Sequence, residues 1–298
     1  MTDWSLTLSA PAKINLYLGV HTERDDRGYH KVDSLMAAVG LVDTVTVTPA
    51  QALTVQTIPT SDFPMQKNTA YRAALAMVEH YGREANVCIT IEKRIPLCAG
   101  LGGPSTDAAA VIVALAELWG IDRADSALDN IARGIGADVP FFLHASPAFY
   151  VGGGDVLATE YPALPATPVV LVKPREASVS TIEAYRRFDE TPAPADKPGA
   201  IASALRSGDA EAAYALVHNN LGVISAQMEP RIQTVLDWLR SQDGTIAVNV
   251  CGSGACSFAL CDTAATAVNL AAAAQQNGWW AYATELVSDT VRIEAPKK

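Results

Sequence analysis

The chain has 298 residues, of which 49% are hydrophobic and 18% are charged, and its formal net charge is −10 at pH 7. This length suffices for one large or two medium domains, and the low charged fraction without long single-sign runs argues against disordered tails. The acidic balance also argues against a nucleic-acid-binding surface, so an anionic substrate would need a local positive pocket of backbone N–H groups, helix N-termini and a few cations.

The N-terminal residues MTDWSLTLSAPAK lack the basic flank and continuous apolar stretch of a signal peptide. No apolar run elsewhere reaches the 18 residues typical of a membrane-spanning helix. We therefore expect a cytoplasmic protein with no membrane partner.

The first third of the chain is predicted to be rich in strands. Alternating apolar positions predict strands at about 4 to 9, 13 to 21, 43 to 49 and 86 to 92. Helical spacing predicts a helix from Asn68 to Gly82, with Asn68 as its N-cap.

A glycine-rich segment, PLCAGLGGPST, connects a strand ending near Arg94 to an alanine-rich helix predicted from Pro104 to Gly120. Glycine lets a backbone approach phosphate oxygens closely, and a helix N-terminus attracts anions. We therefore predict a phosphate-binding loop, in which two hydroxyls add donors or a route to Mg²⁺. Its members are Pro96, Leu97, Cys98, Ala99, Gly100, Leu101, Gly102, Gly103, Pro104, Ser105 and Thr106. On this segment alone, a tight turn whose glycines serve only packing stays open.

The rest of the chain is predicted to hold a second domain. A helix at about 125 to 133, a strand-like AFYVGG and a turn at Gly152 to Asp155 precede a proline-rich stretch at about 160 to 168. We place a boundary there, giving domains of residues 1–162 and 163–298. Beyond it we predict strands near 169–173, 246–250, 256–261 and 280–287, helices near 178–188, 199–217, 229–241 and 263–276, and a surface loop at 189–200.

Five cysteines lie among apolar residues, as is typical of reduced, packed thiols. Cys251, Cys256 and Cys261 are the only cluster, and they have no nearby histidine. A zinc site there is disfavoured.

Three separated segments identify a family. The chain lacks GxxxxGK[ST], GxGxxG after a strand, and the protein-kinase VAIK, HRD and DFG elements. Instead, three other segments stand out: SAPAKINLYLGV (Ser9 to Val20), PLCAGLGGPSTDAAA (Pro96 to Ala110) and VCGSGACSFAL (Val250 to Leu260). They resemble the three motifs of the GHMP kinases, the superfamily of galactose, homoserine, mevalonate and phosphomevalonate kinases. The resemblance implies a two-domain α+β fold, with a ribosomal S5 domain 2-like N-terminal domain and a ferredoxin-like C-terminal domain. It also implies an active site in the cleft between them, with ATP and Mg²⁺ as cofactors.

A narrower resemblance concerns the substrate. GYH (Gly28 to His30), GADVPFF (Gly136 to Phe142) and AFYVGGGD (Ala148 to Asp155) look most like the members that act on a methylerythritol carrying a cytidine diphosphate. This implies transfer of the ATP γ-phosphoryl group to the 2-hydroxyl of the methylerythritol moiety, in non-mevalonate isoprenoid precursor biosynthesis. The cytidine diphosphate would act as a handle that supplies binding energy away from the reacting centre.

Two alternatives stay open. The acceptor could instead be homoserine, mevalonate or a sugar, against which GYH together with GADVPFF argues. The chain could also be a non-catalytic nucleotide-binding relative, against which the presence of both Lys13 and Asp138 argues.

The resemblance implies a catalytic pair. Asp138 matches the family's catalytic aspartate, expected as general base, and a carboxylate beside two phenylalanines suits a paired or functional group. A turn cap is the alternative role for Asp138. Lys13 matches the motif-one lysine that lies beside this aspartate; otherwise it would be an edge-strand lysine facing water. Asn15, two residues further on the same strand face, is expected as a hydrogen-bonding neighbour.

The resemblance also implies contacts to both substrates. Tyr29 and His30 match the family's cytosine-recognising residues, and Tyr185 falls where a second stacking aromatic is expected, with core packing as its alternative. Asn68 stands where an adenine-side contact is expected, although capping accounts for it equally well. A second glycine-rich turn consists of Gly252, Ser253 and Gly254. The resemblance implies that this turn closes on the substrate and on the nucleotide loop, with a purely steric role as the alternative.

Two positions depart from the family pattern. Pro104 stands where Gly or Ser is usual, which removes one N–H donor from the loop but favours helix entry. The segment RDDRGYH carries an extra residue, and Arg27 stands where an aspartate usually precedes GYH, which leaves the placement of Tyr29 and His30 open. No motif-two glutamate is evident, so we assign no side-chain ligand to Mg²⁺ and expect phosphates and water to hold most of it. The oligomeric state is not assigned.

Overall fold

Two long antiparallel strands form the centre of the N-terminal half in the computed structural model, which describes residues 4–60 and 63–295. They are β1 (Leu6–Arg24) and β2 (His30–Pro49), paired with bulges that include one between Pro11 and Ala12. The sequence predicted β1 as two strands and only the end of β2. Residues 34–39 are covered on both faces, so the polar alternation that marks a half-exposed strand is missing in that part of β2.

The remaining N-terminal strands extend this sheet. β4 (Val87–Glu92) pairs with β2 and runs parallel to β3 (Thr54–Ile58), a short strand that the sequence did not reveal. β5 (Ala148–Val151) pairs with β2 and with β6 (Val156–Glu160).

Three helices share one apolar core with this sheet: α1 (Thr69–Tyr81), α2 (Gly103–Trp119) and α3 (Ser126–Ile135). The predicted signals at their ends are confirmed. The Asn68 side chain accepts a hydrogen bond from the Ala70 N–H at 2.9 Å, and Gly82 and Gly120 end α1 and α2 in the left-handed conformation. Most residues of α2 are buried, because its many alanines allow close packing on both sides.

The C-terminal half contains a second antiparallel sheet in the order β11-β7-β10-β9. Its strands are β7 (Pro168–Lys173), β9 (Thr245–Val250), β10 (Ser257–Cys261) and β11 (Trp280–Val287). Two helices, α8 (Pro230–Arg240) and α9 (Ala264–Gln276), pack against it through a shared apolar cluster. A β-α-β-β-α-β chain with this strand order is ferredoxin-like, which confirms the expected α+β fold.

Short elements fill the connection between β7 and α8: α4 (Thr181–Glu190), α5 (Gly199–Arg206), α6 (Ala210–Tyr214), β8 (His218–Asn219) and α7 (Asn220–Met228). The prediction of one helix from 199 to 217 is wrong. Gly208 has a φ of 74° beyond the end of α5, and the Asp209 side chain caps α6 by accepting from the Ala212 N–H at 3.0 Å. The sequence did not reveal α7.

The two sheets are joined edge to edge. Leu286 and Val287 of β11 pair with Val39 and Ala38 of β2, and β12 (Arg292–Ile293) returns to pair with β1. One apolar cluster contains Ile14 and Leu101 from the first half with Leu171 and Phe258 from the second. The predicted boundary at 162/163 falls between β6 and β7 and stays a prediction, and its outer limits at residues 1 and 298 lie outside the described residues.

Within residues 4–60 and 63–295, no helix combines the length and the apolar character that crossing a membrane requires. The five cysteines are free, but the expectation of packed thiols is wrong for Cys98, which is exposed in the glycine-rich loop.

Candidate active site

A buried lysine and a partly exposed aspartate face each other between the two halves. The Lys13 Nζ lies 3.3 Å from Asp138 Oδ2, and the two side chains are 3% and 37% exposed. Lys13 Nζ also donates to Asn15 Oδ1 at 2.8 Å, and Asn15 Nδ2 donates to Ser34 Oγ at 3.0 Å. These bonds hold the ammonium in place, while the carboxylate stays accessible to a reactant.

Local structure places both members of this pair. The Lys13 N–H donates to the Leu101 carbonyl at 3.0 Å, which ties β1 to the glycine-rich loop. Asp138 lies in the turn after α3, just before a short 3₁₀ helix at Pro140–Leu143 whose Phe141 and Phe142 are fully buried. The two phenylalanines anchor the turn in the core, so the carboxylate keeps its position without a flexible loop.

The predicted phosphate loop, Pro96 to Thr106, packs tightly on both sides. Gly100 has a φ of 73°, and a Cβ there would lie 1.9 Å from the Cys251 carbonyl oxygen. Gly102 has a φ of 75°, and a Cβ there would lie 2.9 Å from Phe142 and 3.1 Å from the Lys13 side chain. Glycine is therefore required at both positions for conformation and for space.

The loop leads into the N-terminus of α2, where backbone N–H groups and the helix dipole create a positive potential. The N–H groups of Ser105 and Thr106 donate to the Gly102 carbonyl at 3.0 and 2.9 Å, and Pro104 lies in the first turn. The Pro104 carbonyl accepts from Thr69 Oγ1 at 2.6 Å, which joins the start of α1, next to Asn68, to the loop. The Asn68 side chain serves as the cap of α1.

A buried charge cluster beneath the loop was missed by the sequence reasoning. Lys93 Nζ donates to Asp107 Oδ2 at 2.6 Å and also to Asp43, whose other oxygen accepts the N–H groups of Arg94 and Ile95 at 2.5 and 2.9 Å. Asp107 Oδ1 has no hydrogen-bond partner among the described residues. The one sequence feature that could have indicated this cluster was the carboxylate of Asp107, which stands next to an alanine run directly after the loop.

The charges in this cluster are unequal, since two carboxylates share one lysine. Burial raises the pKa of Asp107 to about 7; the Lys93 ammonium opposes this rise and the Asp43 carboxylate adds to it. Burial alone would lower the pKa of Lys93, but the charges of Asp107 and Asp43 raise it above its usual value. Lys93 therefore stays protonated, and Asp107 is the group that takes up a proton near neutral pH.

The second glycine-rich turn, Gly252 to Gly254, lies against both the loop and Lys13. A Cβ on Gly252 would lie 3.2 Å from the Gly100 carbonyl oxygen and 3.3 Å from Lys13 Nζ. Asn219 Nδ2 donates to the Gly252 carbonyl at 2.8 Å, and the Ser253 hydroxyl is 2.8 Å from Thr181 Oγ1 of α4. The tertiary structure thus brings the predicted turn to the predicted loop, and Asn219, which sequence reasoning missed, holds it there.

The predicted handle residues come from the turn before β2, from the first residue of β2 and from α4. Tyr29 is 62% exposed, whereas His30 is buried and stacks on Tyr185 with ring centroids 5.3 Å apart and an interplanar angle of 29°. Burial and the Asp138 charge raise the pKa of Tyr185 to about 12. Tyr185 also packs against an apolar cluster, so its alternative role in the core holds alongside the stacking.

His30 is held from two directions. Its Nδ1 is 2.7 Å from the His21 carbonyl oxygen, so Nδ1 carries the proton of that hydrogen bond. Its Nε2 is 3.1 Å from Asp189 Oδ1, in a direction that does not satisfy hydrogen-bond geometry. Asp189 also accepts from Arg24 Nη2 at 2.7 Å. Neither Arg24 nor Asp189 was predicted, because only the packing of α4 on the β1–β2 turn brings them together.

Comparisons with known proteins match both halves of the chain to one family. The family model described as GHMP kinases N terminal domain matches residues 68–146, and the model described as GHMP kinases C terminal matches residues 201–278. A 4-diphosphocytidyl-2-C-methyl-D-erythritol kinase of Mycolicibacterium gilvum is 36% identical over 284 residues, covering 89% of this chain and 85% of that protein. The protein of the same name from Mycobacterium tuberculosis is 34% identical over 281 residues, covering 90% of this chain and 86% of that protein.

Solved structures extend the similarity to the fold. A crystal structure of 4-(cytidine 5'-diphospho)-2C-methyl-D-erythritol kinase has a TM-score of 0.77 and 34% identity, covering 94% of this chain and 98% of that one. A homoserine kinase from Cytophaga hutchinsonii has a TM-score of 0.75 but only 19% identity, covering 97% of each chain, and therefore shows the shared fold alone.

Proposed function

Because the chain belongs to the GHMP kinase family, we propose that it transfers the γ-phosphoryl group of ATP to the 2-hydroxyl of 4-diphosphocytidyl-2-C-methyl-D-erythritol. It is an ATP-dependent small-molecule kinase. The substrate is supported by relatives of that name at 34–36% identity over about 90% of the chain. The reaction would supply a precursor for non-mevalonate isoprenoid biosynthesis.

The observation that carries the proposal is the pair of Lys13 and Asp138, whose side chains are 3.3 Å apart and whose lysine is bonded through its backbone N–H to the glycine-rich loop. Asp138 would orient the acceptor hydroxyl and take its proton as the phosphoryl group is transferred. Lys13, held by Asn15, would fix the carboxylate and place positive charge near the transferring phosphoryl oxygens. In a loose transition state this positioning contributes more than basicity does.

The nucleotide phosphates would lie against the loop before α2. Pro104 has no N–H, and the N–H groups of Ser105 and Thr106 already donate to Gly102. Phosphate binding would therefore depend on the N–H groups of the glycine-rich residues that precede Pro104. Close backbone approach at Gly100 and Gly102 makes this possible.

Magnesium is part of the proposal, as the ion that neutralises charge on the ATP phosphates. Among residues 4–60 and 63–295, no three His, Cys, Asp or Glu side chains are grouped so as to hold a metal. Thr106 and Asp107, near the start of α2, each carry a buried oxygen without a hydrogen-bond partner among the described residues. Oxygen donors of this kind suit Mg²⁺, so these two residues would be the ligands from this chain, with phosphates and water completing the shell.

The cytidine handle would bind at Tyr29, His30 and Tyr185. The exposed Tyr29 ring offers a surface for stacking, and the buried His30 offers polar atoms for the edge of a base. Binding of the handle would position the acceptor hydroxyl relative to Asp138. Binding energy remote from the reaction would thus be used for orientation.

A coupled assay of ADP release over a panel of acceptors tests the proposal. The expected result is turnover with 4-diphosphocytidyl-2-C-methyl-D-erythritol and none with homoserine, mevalonate or galactose at equal concentration. Turnover with homoserine or mevalonate but not with the cytidyl substrate would refute the substrate assignment. Absence of turnover with every acceptor would favour a non-catalytic nucleotide-binding role.

A further inference from the structure

The turn between β1 and β2 carries Tyr29 and is closed by Asp25. The Asp25 N–H donates to the Tyr29 carbonyl at 2.7 Å, and Asp25 Oδ1 accepts the N–H groups of Arg27 and Tyr29 at 3.0 and 2.9 Å. Gly28 completes the turn with a φ of 83°. The extra residue in RDDRGYH is therefore accommodated in a hydrogen-bonded turn.

Arg27 ties this turn to the turn between β5 and β6. Its Nη1 and Nη2 donate to the two oxygens of Asp155 at 2.8 and 2.9 Å, and its Nε donates to Asp25 at 2.9 Å. Asp155 is 2% exposed and also accepts from Arg133 Nε at 3.0 Å and from the Gly153 N–H at 3.1 Å. A bidentate bond to a carboxylate held this firmly gives the guanidinium one orientation.

The same guanidinium lies over the Tyr29 ring. Arg27 Cζ is 5.3 Å from the ring centroid, which is a cation–π distance. A Cβ on Gly153 would lie 3.1 Å from Arg27 Nη2 and 3.6 Å from Tyr29 Cβ, so the glycine lets the two side chains meet. The ring is otherwise largely exposed, which leaves Arg27 to fix its direction.

We infer that Arg27 is a positioning residue for the cytidine handle, whose proposed contacts are Tyr29, His30 and Tyr185. Arg27 holds the Tyr29 ring in the orientation on which a cytosine base stacks. This rests on the proposed function, because it assumes a cytidine-bearing substrate. The inference gives a role to an arginine that departs from the family pattern.

Direct binding of the substrate diphosphate by Arg27 is the competing role, and the contacts argue against it. Three nitrogens of the guanidinium already donate to Asp25 and Asp155. Burial would raise the pKa values of both carboxylates, but Arg27 and Arg133 lower that of Asp155, and Arg27 and two backbone N–H groups lower that of Asp25. A phosphate would have to displace bonds that are already made.

Steady-state kinetics of Arg27→Gln, with Arg133→Gln as the matched control, test the inference. Arg27→Gln should raise KM for the cytidyl substrate roughly fivefold through loss of the cation–π contact and of the fixed ring. Both kcat and KM for ATP should stay within about twofold of wild type, because the reacting groups are untouched. Arg133→Gln removes an arginine from Asp155 without touching Tyr29 and should leave KM unchanged.

A double variant separates positioning from general destabilisation. If Arg27 acts through Tyr29, Arg27→Gln should have no further effect on KM in a Tyr29→Leu background. Should Arg27→Gln unfold, Arg27→Lys keeps the charge while losing the bidentate bond, and it should show a smaller rise in KM.

Three results would overturn the inference: a wild-type KM in Arg27→Gln, an equal rise in Arg133→Gln, or additive rises in the double variant. Absence of turnover of the cytidyl substrate by the wild-type enzyme would instead refute the proposed function, and the inference with it.

Discussion

Replacing Asp107 with asparagine should remove a pH dependence from the folding stability of this protein. Asp107 and Asp43 are both buried and share Lys93, but Asp43 accepts two further backbone hydrogen bonds while Asp107 Oδ1 has no partner among the described residues. Asp107 therefore lacks, at Oδ1, the hydrogen bonds that would favour its ionised form. An asparagine resembles its neutral form in size and shape.

The size of the effect follows from the pKa of Asp107, which burial raises from 3.8 to about 7. Between these values the folded state holds a proton that the unfolded state has lost, so stability falls as the pH rises from about 4 to about 7. A difference of about three pH units corresponds to about 4 kcal/mol, at 1.36 kcal/mol per unit. Above pH 7 both states are ionised, and the loss is complete.

Urea unfolding followed by tryptophan fluorescence from pH 5 to pH 8 measures this slope. The wild-type free energy of unfolding should fall up to about pH 7 and then level off, whereas that of Asp107→Asn should stay nearly level throughout and exceed the wild-type value at pH 8. Asp237→Asn, on the exposed face of α8, is the control and should keep the wild-type slope. Equal slopes in wild type and Asp107→Asn would refute the assignment of the proton to Asp107.

Three further predictions concern catalysis and binding. Asp138→Asn should lower kcat by about 10²- to 10⁴-fold with KM for ATP nearly unchanged in the ADP-release assay, and a near-normal kcat would remove the general-base role. Gly100→Ala should lower the free energy of unfolding by more than about 2 kcal/mol and raise KM for ATP, because its Cβ would meet the Cys251 carbonyl at 1.9 Å. Gly82→Ala, also left-handed but in open space, should cost only about 1 kcal/mol in the same urea titration; similar losses in both variants would contradict the steric argument. Tyr185→Leu should raise KM for the cytidyl substrate up to about tenfold while Tyr185→Phe keeps it low, and equal effects of the two would exclude ring stacking.

Local signals predicted the ends of α1 and α2 correctly because such signals act within a few residues. The Asn68 cap, the left-handed Gly82 and Gly120, and the proline in the first turn of α2 all stand where the sequence placed them. Strands were harder to predict, since alternation is visible only where one face is exposed. The second half of β2 alternates and was found, but its first half is buried on both faces and was missed.

Parts of the candidate site could be named from motifs but not arranged from them. The sequence placed Lys13 in a strand, with an exposed edge position as the alternative, and the structure buries it beside Asp138, 125 positions along the chain. Lys93 and Asp43 carried no local signal, because strand pairing between β2 and β4 is what brings them together.

The sequence by itself determined the family, the glycine-rich loop and the helix that follows it, because these depend on residue types at fixed short spacing. Only the tertiary structure decided which distant side chains meet: Lys93 with Asp107, Arg27 with Asp155, and Tyr185 with His30. The physical reason is that these contacts are made by folding two sheets and their helices around common cores. The identity of a charged residue gives its capacity to pair, but the packing of the whole chain selects its partner.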